Sequence, residues 1–255
     1  MEMLEPLKEV LRKNAAFVSW YRKGRWIGGL LLGNLFNPGK IRLFLKLRPY
    51  TMVSQKRLSN VYELAHKVEA ENVPGAFVEF GVWKGGAAAC MAVVAKQADS
   101  ERIVWLFDSF EGLPEPTEKD GEVAASFSLQ RTSGKLQSID KCVGQLEDVE
   151  KLFFSILKIP REHVRIAKGW FQNTVPVAKC ELLQIAILRL DADWYESTKY
   201  VLQELYDRVA QGGYVIVDDY GDWEGCKRAV DEFFKERSLK EQFHSIDGRA
   251  IYFQK

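Results

Sequence analysis

The segment LRLDADWYES, residues 188–197, ends an apolar run with two aspartates that stand one residue apart. The run begins at Gln184 and has Ile, Leu or Ala at most positions, and a helical pattern follows it. A short apolar run of this length is typical of a buried strand. If the strand continues through Asp191 and Asp193, its alternation places both carboxylates on the same face.

The same pattern recurs in GGYVIVDDYGD, residues 212–222, where Asp218 and Asp219 follow a second apolar run. Two further acids, Glu79 and Asp108, lie at the ends of predicted strands earlier in the chain. Predicted strands alternate with predicted helices, which indicates an α/β fold with a mostly parallel sheet and helices on both faces. Ligands of such folds bind outside the carboxyl ends of the strands, so we expect these acids to meet at one rim.

Length and composition limit the class of protein. The chain of 255 residues fits one large domain or a domain with an extension, and 47% of it is hydrophobic. The four cysteines form no CxxC pair, so we expect no disulfide framework, no zinc site and a reducing, cytoplasmic location. No apolar run is long enough to span a membrane, and no signal-peptide pattern is present.

Charge is distributed unevenly along the chain. Residues 1–57 carry a net charge of +9, whereas the remaining residues carry −8. We divide the chain into a basic helical N-terminal extension, residues 1–50, which glycines interrupt, and a domain of residues 51–255. Such an extension indicates contact with something anionic: a membrane surface, nucleic acid, an anionic substrate or the acidic body of a neighbouring subunit.

The segment EFGVWKGG joins a predicted strand to an alanine-rich helix. Gly81, Gly85 and Gly86 let the backbone approach a ligand and expose the helix N-terminus to a carboxylate or phosphate. The spacing is not that of a dinucleotide-binding GxGxxG, and no P-loop lysine follows. Asp108, at the end of the next strand, is placed to accept both hydroxyls of a ribose. S-adenosylmethionine, with its amino-acid end, fits this pattern better than ATP.

Three or four carboxylates at one rim repel each other unless a cation lies between them. Oxygen ligands without paired His or Cys favour Mg²⁺ or Ca²⁺ over zinc. A carboxylate outside the metal shell is then free to take a proton from a bound hydroxyl. The alternative is that these acids are solvated strand ends or helix caps, and Ser197 is a candidate cap. Trp170 and Phe171, after another strand, either stack on an adenine or cover the core.

Five segments together resemble the macrocin O-methyltransferase family, whose members are bacterial, metal-dependent and use S-adenosylmethionine. The segments are FVEFGVWKGG, FDSFEGLPEP, KGWFQNTVP, LRLDADWYEST and GGYVIVDDYGDWEGCKRAV. The resemblance implies a Rossmann-like class I methyltransferase fold and methylation of a sugar hydroxyl in a natural product. TMVSQKRL, residues 51–58, resembles the family segment that closes the cofactor site.

The resemblance also implies roles for individual residues. Mg²⁺ would be bound by Asp191, Asp218 and Asp219, and Asp193 would be the general base. No lysine stands at positions 192–195, which favours a carboxylate base over the lysine of catechol-type enzymes. The residues implied for the cofactor are Met52, Glu79, Gly81, Asp108, Ser109, Trp170, Phe171 and Asp191.

Two departures from the family pattern affect the prediction. Ala192 replaces the usual glycine between the aspartates, and the basic extension matches no family segment.

We expect a sugar or glycoside acceptor and a homo-oligomer. The alternatives are a catechol-type enzyme acting on a non-sugar diol, and a membrane-surface or assembly module acting through Trp20–Trp26. Nucleic-acid binding is not expected, because no reader motif accompanies the positive charge.

Overall fold

The computed structural model describes residues 28–30, 37–130 and 136–255. The chain divides into two compact units, residues 1–46 and residues 47–255. The basic aromatic segment Trp20–Trp26 lies outside the described residues. Within the described ranges, no helix is long and apolar enough to cross a membrane.

Seven strands of the second unit form one sheet in the order β3-β2-β1-β4-β5-β7-β6. Strands β1 to β5 are parallel, and β7 pairs antiparallel with both β5 and β6. The predicted α/β fold with a mostly parallel sheet is therefore confirmed. The strands are β1 Ala76–Phe80, β2 Val104–Asp108, β3 Val164–Lys168, β4 Ile185–Leu190, β5 Val209–Val217, β6 His244–Ser245 and β7 Ile251–Gln254.

Helices connect the parallel strands. Short 3₁₀ turns stand at residues 48–50, 118–120, 161–163 and 206–208, and α5 continues as a π-helix to Ile156. The α-helices of the described residues that we name are α1 Pro38–Leu47, α2 Gln55–Ala70, α3 Gly86–Gln97, α4 Gly121–Ala125, α5 Leu146–Glu150, α6 Phe171–Ala178, α7 Tyr195–Leu205 and α8 Glu224–Arg237.

The two faces of the sheet are covered by different helices. Val78 and Phe80 of β1 belong to the apolar core that the sheet forms with α6, α7 and α8. Strand alternation turns Phe77 and Glu79 to the opposite face, where α2 and α3 pack. All five residues of β1 are buried, as expected for a central parallel strand.

The end of α7 differs from the sequence prediction. The helical pattern that begins at Ser197 continues in the sequence to Gly212 and Gly213, a pair typical of a helix end, but α7 ends at Leu205 and β5 begins at Val209. The two glycines lie inside β5, where the pairing with β4 shifts register. Gly212 has a φ of +83°, so the pair accommodates a strand irregularity rather than a helix cap.

Candidate active site

The site lies where the strand order reverses. From β1 the chain continues outward to β2 and β3, then returns to β4 on the other side of β1. The Asp191 N–H donates to the Phe80 carbonyl oxygen at 2.9 Å and joins the ends of β1 and β4. A cavity of about 540 Å³ opens here, lined by residues that follow β1, β2, β4 and β5. This is the position at which open α/β sheets bind ligands.

The loop after β1 is fixed by a close approach and by Asp108. Gly81 has a φ of +78°, and a Cβ at this position would overlap the carbonyl oxygen of Asp191. Asp108 Oδ2 accepts from the N–H groups of Val82 and Trp83, each at 2.8 Å, and Oδ1 accepts from Phe110 N–H at 2.7 Å. Burial raises the pKa of Asp108, and these three hydrogen bonds oppose that shift.

Three carboxylates converge at the cavity. Oxygen atoms of Asp191, Asp193 and Asp219 all lie within 4.8 Å of one another. Strand alternation is not the cause, because β4 ends at Leu190 before the first aspartate. Asp193 instead has a φ of +55°, in a tight turn where Trp194 N–H donates to Ala192 O at 2.6 Å. The Asp193 N–H also donates to Asp219 Oδ2 at 3.1 Å.

Burial and mutual repulsion make the ionised form of these acids unfavourable. Burial, with repulsion by Asp218, raises the pKa of Asp191 to about 6. Burial, with repulsion by Asp191, raises the pKa of Asp193 to about 8. The pKa of Asp219 is also raised well above its usual range, first by burial and then by Asp193. A divalent cation would relieve this repulsion.

Asp218 is held differently from its neighbour. Its Oδ1 accepts from Arg189 Nη2 and its Oδ2 from Arg57 Nη1, each at 2.5 Å. The observed cluster therefore differs from the predicted metal ligands by one residue, with Asp193 in the place of Asp218. Arg189 is 1% exposed and also donates to Glu79 Oε1 at 2.5 Å and to Asp191 Oδ2 at 2.9 Å.

Two tryptophans support the turn that carries Asp193. Trp223 Nε1 donates to Asp193 Oδ1 at 2.8 Å, and its ring packs edge-on against Trp194 at 4.9 Å. The first N–H of α7, on Tyr195, donates to Asp120 Oδ1 at 2.6 Å. Asp120 therefore provides a hydrogen bond at the start of the helix, while Ser197 lies inside α7 and does not act as its cap.

The structure places most of the predicted residues on the cavity wall. Glu79 is the exception, because it is 1% exposed and contacts Arg189 beneath the wall. Phe171 lines the cavity and also packs edge-on against Phe80 at 4.9 Å, so it covers part of the core. The predicted residues that line the cavity are Met52, Gly81, Asp108, Ser109, Trp170, Phe171, Asp191, Asp193, Asp218 and Asp219.

Sequence reasoning missed Arg57, Arg189 and Trp223. Arg189 left a signal, because it is the one charged residue in the apolar run of β4. A buried arginine requires carboxylate partners, and acids at neighbouring strand ends were the available ones. Arg57 and Trp223 left no such signal, because neither stands in an apolar run and their partners lie 161 and 30 residues away in sequence.

Residues 46–255 match the sequence model of the macrocin-O-methyltransferase (TylF) family. The chain belongs to this family. Demethyldecarbamoylnovobiocin O-methyltransferase of Streptomyces niveus is 38% identical over 209 residues, which cover 81% of this chain and 76% of that protein. Mycinamicin III 3''-O-methyltransferase of Micromonospora griseorubida is 33% identical over 207 residues, 81% of this chain and 78% of that protein. The family member described here is an S-adenosylmethionine-dependent O-methyltransferase.

Solved structures agree with this assignment. The O-methyltransferase NovP superposes with a TM-score of 0.70 at 37% identity, covering 81% of this chain and 82% of that one. The calicheamicin methyltransferase CalS11 has a TM-score of 0.62 at 22% identity, covering 91% and 92%, which shows the shared fold alone. The predicted class I methyltransferase fold is confirmed.

Proposed function

We propose that this family member transfers the methyl group of S-adenosylmethionine to a hydroxyl of a sugar carried by a natural product. The observation that carries the proposal is the convergence of Asp191, Asp193 and Asp219 on the cavity that the glycine loop also lines. The names of relatives support the acceptor class, since one acts at the 4' position of a rhamnosyl tetracenomycin. That relative, from Streptomyces olivaceus, is 36% identical over 208 residues, which cover 80% of this chain and 75% of that protein.

The cofactor would occupy the part of the cavity next to the glycine loop. Gly81 leaves space for its methionine end, and Asp108 and Ser109 would meet the ribose. Trp170, Phe171 and Met52 would contact the remainder, while Glu79 would act through Arg189. S-adenosylmethionine would supply an electrophilic methyl group, and these side chains would orient that group toward the acid cluster.

The donor set fits a hard divalent cation. Within the described residues, the linked acids and arginines of the site comprise four more carboxylates than guanidinium groups. All the donors are oxygen atoms, as Mg²⁺ prefers. We propose that Asp191 and Asp219 hold Mg²⁺, with Asp218 as the third ligand. The cation supplies positive charge that favours the ionised form of an acceptor hydroxyl.

Asp193 would remove the proton of the acceptor hydroxyl. Its Oδ1 is held by Trp223 Nε1, and no described residue donates a hydrogen bond to its Oδ2. A carboxylate whose pKa is raised by burial is closer to the operating pH and is a more effective base than an exposed one. The deprotonated acceptor oxygen would then attack the methyl carbon in line with the departing sulfur.

Substitution of Asp193 tests the assignment of the base. We expect Asp193→Asn to lower methyl transfer at least about 100-fold, the usual contribution of a general base. Binding of S-adenosylhomocysteine, measured by calorimetry, should be unchanged. Asp207→Asn, which removes an exposed carboxylate that does not line the cavity, is the matched control and should retain turnover. Loss of cofactor binding in Asp193→Asn would contradict the role in proton transfer.

Metal removal tests the cation. We expect exhaustive treatment with EDTA to remove transfer of labelled methyl groups to a panel of glycosides and lipid-linked sugars, and Mg²⁺ to restore it. Mn²⁺ and Ca²⁺ compared in the same assay would rank the metals. Full turnover in the chelated enzyme would exclude the metal from the reaction while leaving the acceptor assignment intact.

A further inference from the structure

A short segment crosses the cofactor end of the cavity. We call residues 51–57 the strap, which runs from the 3₁₀ turn at residues 48–50 into the first turn of α2. It passes directly over the N-terminus of α3, because a Cβ on Gly86 would lie 2.5 Å from Tyr50 O and 2.6 Å from Thr51 Cβ. Met52 and Arg57 of the strap line the cavity.

Arg57 fastens the strap to the rest of the site. Its Nη1 contacts Asp218 Oδ2 at 2.5 Å, its Nη2 contacts Asp222 Oδ2 at 2.8 Å, and its Nε contacts Asp247 Oδ2 at 2.8 Å. The side chain of Arg57 is 11% exposed. Ser54 Oγ also donates to Asp247 Oδ2 at 3.0 Å. Asp218 and Asp222 lie in the loop between β5 and α8, and Asp247 lies in the turn before β7, so one guanidinium joins the strap to two other segments.

The contact with Asp218 connects the strap to the acid cluster. Asp218 Oδ2 accepts a hydrogen bond from Arg57, and Asp218 Oδ1 accepts one from Arg189. Arg189 Nη1 also donates to Asp191 Oδ2 at 2.9 Å. Both oxygens of Asp218 are thus occupied by arginine, although Asp218 directly precedes Asp219 of the cluster. A cation that recruits Asp218 must displace at least one of these charge-assisted hydrogen bonds.

We propose that Arg57 is a positioning residue that competes with the cation for Asp218 and so ties the strap to the state of the metal site. The inference rests on the proposed Mg²⁺ site. When Asp218 binds the cation, Arg57 of the strap keeps its contacts with Asp222 and Asp247 but loses its contact with Asp218, which we call the inner anchor. By reciprocity, weakening the anchor strengthens binding of the cation.

Calorimetric titration of the full chain with Mg²⁺ alone tests the competition. We expect Arg57→Gln to bind Mg²⁺ at least about fivefold more tightly than the wild type, because a positive charge leaves and a carboxylate oxygen becomes free. Arg249→Gln is the matched control, since Arg249 contacts Asp222 at the same cavity but does not contact Asp218. The Mg²⁺ affinity of Arg249→Gln should change by less than about twofold, because Arg249 is an exposed charge that salt screens.

Hydrogen exchange measures the strap without relying on turnover. We expect Mg²⁺ to speed exchange of strap amides in the wild type and to leave it unchanged in Arg57→Gln. Asp247→Asn removes an outer anchor but leaves Asp218 untouched, so its strap should exchange faster while its Mg²⁺ affinity stays within about twofold of the wild type. Slower exchange of the wild-type strap on addition of Mg²⁺ would overturn the competition.

Two further results would also overturn it. Weaker Mg²⁺ binding by Arg57→Gln would show that Arg57 supports Asp218 as a ligand, and equal tightening in Arg249→Gln would show a general effect of charge. If Arg57→Gln does not fold by circular dichroism, Arg57→Met, which also removes the positive charge, replaces it, and an affinity no tighter than the wild type then rejects the proposal. Failure of the wild type to bind Mg²⁺ would instead reject the metal site itself.

Discussion

Asp193 carries two unfavourable features at one position. Its φ of +55° is uncommon for a residue with a side chain, and its carboxylate lies beside Asp191 and Asp219. Strain of this kind costs on the order of 1–3 kcal/mol and persists at functional sites because the surrounding structure imposes it. The residue that we propose as the base is therefore also a point of low stability.

We expect Asp193→Asn to stabilise the chelated protein while it removes turnover. Asparagine tolerates a positive φ, keeps an oxygen for Trp223 Nε1 and removes one buried ionisable group from the cluster. We expect the free energy of unfolding to increase by about 1 kcal/mol, or Tm by ~2–4 °C, measured by thermal unfolding in EDTA. Asp222→Asn, which breaks contacts with two arginines, should lower Tm instead. A lower Tm for Asp193→Asn would mean that repulsion in the cluster is weaker than described.

Trp223 provides a second test, because it holds the side chain of Asp193 in place. Trp223→Phe keeps an aromatic ring against Trp194 but removes the Nε1–H that holds Asp193 Oδ1. Loss of one hydrogen bond to a charged group corresponds to about 1.5–3 kcal/mol, so we expect kcat to fall at least about tenfold. The KM for the cofactor should be unchanged, because Trp223 does not line the cavity. An unchanged kcat would remove Trp223 from the positioning of the base.

The acids at the strand ends could be found from the sequence because position along a strand is a local property. Asp191, Asp218 and Asp219 each follow an apolar run, and parallel strands bring such ends together. Two partners of the cavity acids, Arg57 and Trp223, could not be found, because they reach Asp218 and Asp193 from segments that are distant in sequence. Asp193 shows a further limit: its position was predicted from strand alternation, but a turn with a positive φ brings it there.

The loop after β1 is the element on which the cavity depends. Gly81 has a positive φ and lies against the Asp191 carbonyl, while Gly248 has a similar φ of +87° with nothing within 4 Å of its Cβ position. We expect Gly81→Ala to lower the free energy of unfolding by at least about 3 kcal/mol, because strain and overlap add. Gly248→Ala should cost about 1 kcal/mol from strain alone. Equal costs in denaturant unfolding would show that overlap at Gly81 is relieved by movement of β4.

Elements with a strong apolar pattern were predicted close to their observed bounds. The apolar residues between 58 and 68 recur at helical spacing and predict α2, and the apolar run before Asp191 predicts β4. The start of β5 was missed because Gly212 and Gly213 are as typical of a helix end as of an irregular strand. β6 has two residues, too few to produce a pattern.

At the scale of the whole molecule, the basic extension and the acidic domain have opposite charge. The predictions that residues 1–50 contact a membrane surface or a neighbouring subunit, and that the chain is a homo-oligomer, remain predictions. The charge at the cavity can be examined separately from that of the rest of the domain, because Asp191, Asp193 and Asp219 lie close together there. That concentration has a consequence for the stability of the entire fold.

Without divalent cations, the folded chain should become less stable as the pH rises from about 5 to 8. Burial raises the pKa of Asp191 to about 6 and that of Asp193 to about 8, both above their unfolded values. The folded state therefore holds more protons than the unfolded state in this window, and stability falls as they dissociate. A rise of one unit in the pKa of one group corresponds to about 1.4 kcal/mol in the free energy of unfolding, or ~3–6 °C in Tm for a chain of this size.

Addition of Mg²⁺ should reverse that trend. Protons and the cation compete for the same carboxylates, so Mg²⁺ should raise Tm little at pH 5 and most at pH 8. Thermal unfolding at fixed ionic strength, with EDTA or Mg²⁺, measures the difference between the two curves. Asp191→Asn is the control, because it removes a proposed ligand of the cation. In this variant Tm should depend on pH in the same way with EDTA and with Mg²⁺. If Tm in EDTA instead rises with pH, the acids are ionised and paired in the folded chain, and the arginines rather than a cation neutralise the site.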